Sequence, residues 1–257
     1  MFNKLLLKLF PQKLEKFASN VRSSFPIYYS NKFKSGNEYI YSFHPHGLFT
    51  ISHYLHVGTN FTDWKDKNIK GTALHILWWL PFGKELAETF RFVQSNYEDM
   101  KLVLTQHKSL SVTLGGVKEM PLSQDNKIIL NIAKRRGIFK MALETGTPLV
   151  PVIVYGENEI YKIYPSTILK FINNFLLKYN LFLPIPTLTS CLKWLNLFTK
   201  PLDEKVKTYV GEPIFVTKKD NPSSYDIDNL REEYFVGLRK LYKNTKPTSY
   251  DNELYIV

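Results

Sequence analysis

The sequence predicts an α/β fold: a single layered domain with a mainly parallel central sheet flanked by helices. Three observations predict it. Short apolar runs alternate along the chain with helical patterns, as in successive strand–helix–strand units. The chain has 257 residues, 44% of them apolar, enough for one large domain with a substantial core. The alternating run 38–43 ends in His44-Pro45-His46-Gly47. There a fixed φ and a permissive glycine turn the chain sharply at a strand end and deliver two titratable side chains.

Residues 1–30 read as an N-terminal basic amphipathic segment. Phe2, Leu5, Leu6 and Leu9, then Leu14, Phe17 and Val21, form stripes broken at Pro11 and interleaved with Lys4, Lys8, Lys13 and Lys16. The pattern fits a helix lying on a membrane surface, or equally one packed on its own domain. The remaining domain, 31–257, opens with the histidine turn and a helix over 48–57. Residues 74–80, 101–106, 109–114, 127–133 and 148–155 read as short strands or buried segments. Between the last two, Gly137–Thr145 reads as a helix closed by Gly146.

Ile168, Phe171, Ile172, Phe175, Leu176 and Tyr179 keep helical spacing, opposite Lys170, Asn173, Asn174 and Lys178. That stripe faces either a core or a membrane and acyl chains. A late strand pair, 205–210 and 213–216, precedes a helix over 226–243. Its stripe of Ile227, Leu230, Tyr234, Leu238 and Leu241 is expected to dock on the core, and the tail from Thr245 to be loosely ordered.

The net charge is +11, from 34 basic and 23 acidic residues. Such an excess attracts anionic lipid surfaces, nucleic acid or a polyphosphate-bearing substrate. No nucleic-acid-binding signature accompanies it, and the aromatics lie among aliphatic runs rather than in a stacking platform, so nucleic acid is not an expected partner. A single cysteine, Cys191, gives no disulfide framework and reads as a small apolar filler. No apolar run reaches the ~18–20 residues that span a bilayer, and residues 1–10 do not read as a signal peptide.

Histidine takes and returns protons near neutral pH, so the turn is a candidate catalytic centre. The other motifs follow in order: Leu114-Gly115-Gly116-Val117-Lys118-Glu119, Arg135-Arg136-Gly137, Gly156-Glu157-Asn158-Glu159 and Val210-Gly211-Glu212-Pro213. Together they resemble the diacylglycerol acyltransferase type 2 family, which includes monoacylglycerol and wax-alcohol acyltransferases. The resemblance covers residues 39–242 and implies a glycerolipid-acyltransferase-like fold, with 31–257 as the acyltransferase domain. It further implies transfer of a fatty acyl group from acyl-CoA to a lipid hydroxyl, diacylglycerol first among acceptors, at the endoplasmic reticulum or a lipid-droplet surface. Acyl-CoA is then a co-substrate, and no metal or other cofactor is expected.

Under that resemblance His46, beside Gly47, is favoured as the base, with His44 orienting it or polarising the carbonyl. Backbone N–H groups at Gly47–Leu48 or Gly115–Gly116 are candidates for the oxyanion. Glu119 would hold the histidine tautomer, or else pair with Lys118 at the surface. Arg135, Arg136 and Lys140 are candidates for the coenzyme A phosphates, or form a solvated basic face. Glu157, Asn158 and Glu159 line the acceptor site or brace the histidine loop, or else form a purely structural polar turn. The family's late Gly-Arg-Gly is replaced by Thr189-Ser190-Cys191-Leu192, and Asn229 and Leu230 stand where relatives carry histidine. Two other classes compete on the residues alone: a metallohydrolase, which can open its ligand set with His-x-His, and a non-catalytic lipid-binding surface protein.

Overall fold

The structure, a computed structural model, describes residues 11–34, 36–123 and 126–257. Seven strands form the main sheet: β1 (Ile27–Tyr29), β2 (Ile40–His44), β3 (Ile69–Ala73), β4 (Phe92–Gln94), β5 (Ser109–Thr113), β7 (Leu149–Tyr155) and β8 (Lys207–Val210). Their order is β1-β8-β7-β2-β5-β3-β4. From β7 to β4 every pairing is parallel, whereas β8 runs antiparallel to β7 and carries β1 parallel to itself. β2 and β7 are buried along their whole length; this explains the continuous apolar run of β7, while the alternating run of β2 has both of its faces covered. β6 (Ile129–Leu130) and β9 (Tyr255–Ile256) form a separate parallel pair.

Two cores sandwich the sheet. On one face Ile40, Leu110 and Ile153 pack against Phe139 and Met141 of α5 (Gly137–Thr145) and Leu230, Tyr234 and Leu238 of α9 (Ser224–Thr245). On the other, Tyr41, Phe43 and Val152 meet Trp64 and Leu55. The predicted helix after the histidine turn is present as α2 (Ile51–His53), running on as a π-helical turn, Tyr54–Gly58. α5 ends at Gly146 in the left-handed region. α9 starts with a reciprocal cap between Ser223 and Asp226 and buries the predicted stripe at Ile227, Leu230, Tyr234 and Leu238.

Several expectations are corrected. Residues 74–80 are not a strand: they make a 3-10 turn, His75–Trp79, ahead of α3 (Gly83–Thr89). The strand lies just before, in β3, where Lys70 and Gly71 blur the alternation. Residues 101–105 belong to α4 (Tyr97–Thr105), with Gln106 closing it, and its start is fixed by the Asn96 side chain accepting the Asp99 N–H. Residues 213–216 contribute one bridge, Ile214 to Leu149, because Pro213 cannot donate to a ladder. The tail is ordered: Tyr250 and Leu254 are buried, and β9 pairs with β6.

At the N-terminus, Phe2 to Leu9 lie outside the described residues. For α1 (Pro11–Ser24) the domain-packing alternative holds. Val21 is fully buried, Phe17 stacks on Phe198 at 4.5 Å, and Asn20 donates to the Leu197 carbonyl at 2.8 Å. The stripe at 168–179 does the opposite. In α7 (Thr167–Leu176) Leu169 and Asn173 face inward, while Ile168, Phe171 and Phe175 stand exposed, Phe171 at 77%. α8 (Leu188–Asn196) also leaves Leu188, Leu192 and Leu195 exposed, and Cys191, on the same side of that helix, is exposed rather than buried. Among the described residues no helix is long and apolar enough to cross a membrane.

Candidate active site

β2 is the central strand, and the chain departs from it first toward β3–β5 and later toward β7. The strand order therefore reverses at β2, and the loop leaving it, His44-Pro45-His46-Gly47, sits at the switch point where α/β sheets bind ligands. A cavity of about 640 Å³ opens there. His46 and Arg135 border it, with apolar walls from Leu48, Ala73, Val112 and Phe182.

The two histidines have separate environments. The His44 ring is fully buried on the α9 side, with Nε2 2.7 Å from the Tyr234 hydroxyl. Desolvation holds its pKa down at about 3, so it is neutral. It does not border the cavity, and the expectation that it polarises the substrate carbonyl is corrected: it anchors the loop to α9. His46 does border the cavity and is 9% exposed. Its Nδ1 lies 2.9 Å from the Gly47 carbonyl. A carbonyl can only accept, so Nδ1 carries the proton and Nε2 keeps a free lone pair. Burial lowers the His46 pKa, with the Gly47 bond opposing. Gly47 has φ +61°, the left-handed conformation that turns its carbonyl back to the ring at little cost for glycine.

Glu119 meets His46, but at the backbone. Its Oε2 accepts the His46 N–H at 2.7 Å and its Oε1 accepts the Asn131 N–H at 2.8 Å. It does not hold the ring tautomer, a role that falls to the Gly47 carbonyl. Nor does it pair with Lys118, which is exposed while Glu119 is 1% exposed. Desolvation pushes the Glu119 carboxyl up to about 7 against the lowering effect of its two N–H donors and Arg135. Gly115 makes room for it: a Cβ there would stand 1.7 Å from Glu119 Oε1. Gly116 and Leu48 border the cavity, whereas Gly47 and Gly115 lie behind it.

Of the three basic candidates, only Arg135 reaches the cavity, its guanidinium donating to the Gly115 carbonyl at 3.0 Å. Arg136 turns to α9, pairing with Asp228 and the Ser224 carbonyl, and Lys140 pairs with Glu144. Neither borders the cavity: Arg136, just ahead of α5, reaches across to α9, and Lys140 pairs along its own helix. Glu157 and Glu159 make structural contacts at two different places. Buried Glu157 accepts the N–H groups of Ile51 and Ser52 and the Ser52 hydroxyl at 2.6–3.2 Å, tying down the start of α2. Glu159 accepts the Tyr250 hydroxyl at 2.9 Å. Asn158 lies against Gly47, where a Cβ would meet its Oδ1 at 3.1 Å. None of the three borders the cavity.

Sequence reasoning missed Tyr234 and Asn131. Tyr234 fits a helical core stripe, and nothing in that spacing tells that its hydroxyl ends at His44. Asn131 contributes a backbone N–H, which carries no residue-type signal.

Fold and site define a class: α/β proteins that set a neutral histidine over a largely apolar cavity at the switch point of a mainly parallel sheet. Among the described residues no group of three or more His, Cys, Asp or Glu side chains is arranged to hold a metal ion. The family model for diacylglycerol acyltransferase matches residues 11–255, and the chain belongs to that family. It is 29% identical over 221 residues to human 2-acylglycerol O-acyltransferase 1, covering 82% of this chain and 66% of that protein. Diacylglycerol O-acyltransferase 2 of Dictyostelium discoideum is 26% identical over 250 residues, with 90% and 74% covered. Human acyl-CoA wax alcohol acyltransferase 2 is 30% identical over 223 residues, with 81% and 66% covered. The chain thus spans about two thirds of the length of these human relatives. The crystal structure of the 1-acyl-sn-glycerophosphate acyltransferase PlsC of Thermotoga maritima aligns with a TM-score of 0.49 at 16% identity, covering 93% of this chain and 83% of that one.

Proposed function

We propose that the protein transfers a fatty acyl group from acyl-CoA to a lipid hydroxyl, with His46 as general base and diacylglycerol as the foremost acceptor. The observation that carries this reading is the state of His46: neutral, with Nδ1–H tied to the Gly47 carbonyl and Nε2 free, at the wall of an apolar cavity. Family membership and the acyltransferase names of its relatives support it.

The acceptor hydroxyl gives its proton to Nε2 as its oxygen attacks the thioester carbonyl. The carbonyl π electrons move to oxygen, and N–H groups at Leu48 or Gly116 are placed to meet that charge. Collapse of the intermediate breaks the C–S bond. The coenzyme A thiolate leaves and takes the proton back from the imidazolium, whose burial makes it a ready donor. Arg135, with exposed Lys118 nearby, supplies positive charge at the rim for the coenzyme A phosphates. The segment joining α7 to α8 borders the cavity through Phe182 and Pro184. On this reading the exposed faces of α7 and α8 lie on a bilayer or droplet surface, with the protein peripheral and its basic excess drawn to anionic lipid.

The test offers labelled oleoyl-CoA with diacylglycerol, monoacylglycerol, fatty alcohol or lysophosphatidate. Wild type is expected to label an acceptor, and His46→Ala to lose about 10²–10⁴-fold in kcat. No labelled acceptor, or full activity in His46→Ala, overturns the reading.

A further inference from the structure

Glu119 has two backbone partners, and one of them is controlled from a distant part of the chain. The segment 131–135 leaves β6, and β6 pairs with β9. The Tyr255 N–H donates to the Ile128 carbonyl at 3.2 Å and the Val257 N–H to the Leu130 carbonyl at 2.8 Å, while the Val257 carbonyl accepts the Ala133 N–H at 3.1 Å. These bonds bracket Asn131, whose N–H donates to Glu119 Oε1 while Oε2 holds the His46 N–H. Four residues further on, Arg135 donates to the Gly115 carbonyl at 3.0 Å.

We infer that β9 together with Val257 is a positioning element for the active site, setting His46 through Asn131 and Glu119 and holding Arg135 at the cavity rim. A carboxylate gripped at both oxygens turns when either donor moves, and this one is packed directly against Gly115, where even a Cβ would collide with it. The same segment governs the base and the cation across the cavity, so both move with β9. A misplacement on the order of 1 Å at a catalytic group costs up to about 10²-fold in rate. The kinetic consequence rests on the proposed role of His46; the structural coupling does not.

Val257→Pro removes the N–H that meets Leu130, and the Val257 side chain is itself exposed. Hydrogen exchange is measured in peptides spanning 44–48, 131–135 and 149–155. The expected result is at least about tenfold faster exchange at 44–48 and 131–135, with β7 (149–155) unchanged. Val257→Ala, which keeps the donor, is expected to exchange like wild type. Unchanged exchange at 44–48 in Val257→Pro, or equal effects of Pro and Ala, overturns the inference. Should Val257→Pro loosen β7 as well, Glu119→Gln decides: 44–48 and 131–135 must then loosen together, and loosening of only one overturns it. In the acyl-transfer assay, kcat of Val257→Pro is expected to fall about tenfold, with no further loss when Glu119→Gln is added. Faster exchange at 44–48 alongside a wild type that labels no acceptor would sink the proposed chemistry and leave the positioning intact.

Discussion

His46 works with a carbonyl where acyl-transfer sites commonly use a carboxylate. The Gly47 oxygen fixes the tautomer without adding negative charge, and burial keeps the ring neutral. The carboxylate, Glu119, is spent on the backbone, and its position depends on the missing Cβ of Gly115. Gly115→Ala is expected to expel Glu119, release two buried N–H groups, and lower stability by about 1–3 kcal/mol, with kcat down more than about tenfold. Gly116→Ala makes the contrast. Its φ of +62° carries a strain of about 1–2 kcal/mol, but its neighbour, Arg135, is 3.6 Å from the added atom. Chemical denaturation and acyl-transfer rates of the two variants distinguish them. The sequence displayed His46, Gly47 and Arg135 through residue type. It could not display which oxygen Glu119 offers to which N–H, because that follows from where two loops meet.

Among the elements, those with strong periodicity were legible: α5, α9 and the buried strands β2, β5 and β7. Those that failed had local rules overridden by context. β3 carries lysine and glycine in a strand, and residues 101–106 are apolar enough for a strand but continue a capped helix. The stripe of α7 was visible, yet its partner was not, since a core and a lipid surface select the same residues. The structure leaves Phe171 and Phe175 uncovered. Phe171→Asp with Phe175→Asp is therefore expected to change stability by less than about 0.5 kcal/mol. Binding to vesicles containing anionic lipid should fall by at least about tenfold, as lost apolar burial at ~25 cal/mol per Å² implies. Thermal denaturation and vesicle sedimentation measure the two effects. A large drop in stability with unchanged vesicle binding would return the stripe to the core.

The molecule as a whole keeps an unusual number of neutral imidazoles. His44, His53 and His56 are fully buried, and desolvation holds each near pKa 3. Unfolding returns them to about 6.5, so acidification below that value favours the unfolded chain. Glu119, raised to about 7, and Glu157, also raised, act in the opposite sense. Their stabilising share is complete below the ordinary carboxylate pKa and is lost as pH rises through the folded value. Four imidazoles, His46 among them, are held down against two raised carboxylates, so the imidazoles prevail and the unfolded chain takes up more protons as pH falls from 7 to 5. The denaturation midpoint is expected to be lower at pH 5 than at pH 7, and a higher midpoint at pH 5 would reverse the assignment.

The bond between His44 and the Tyr234 hydroxyl joins residues 190 positions apart in sequence, and it bears on how the protein is made. On a ribosome, β2 and its turn emerge early, while the hydroxyl that anchors them is among the last parts of the domain to be synthesised. Until α9 has left the exit tunnel, the histidine turn has no anchor on that face. A nascent chain therefore presents the exposed apolar faces of α7 and α8 before the histidine turn has gained its contact with α9.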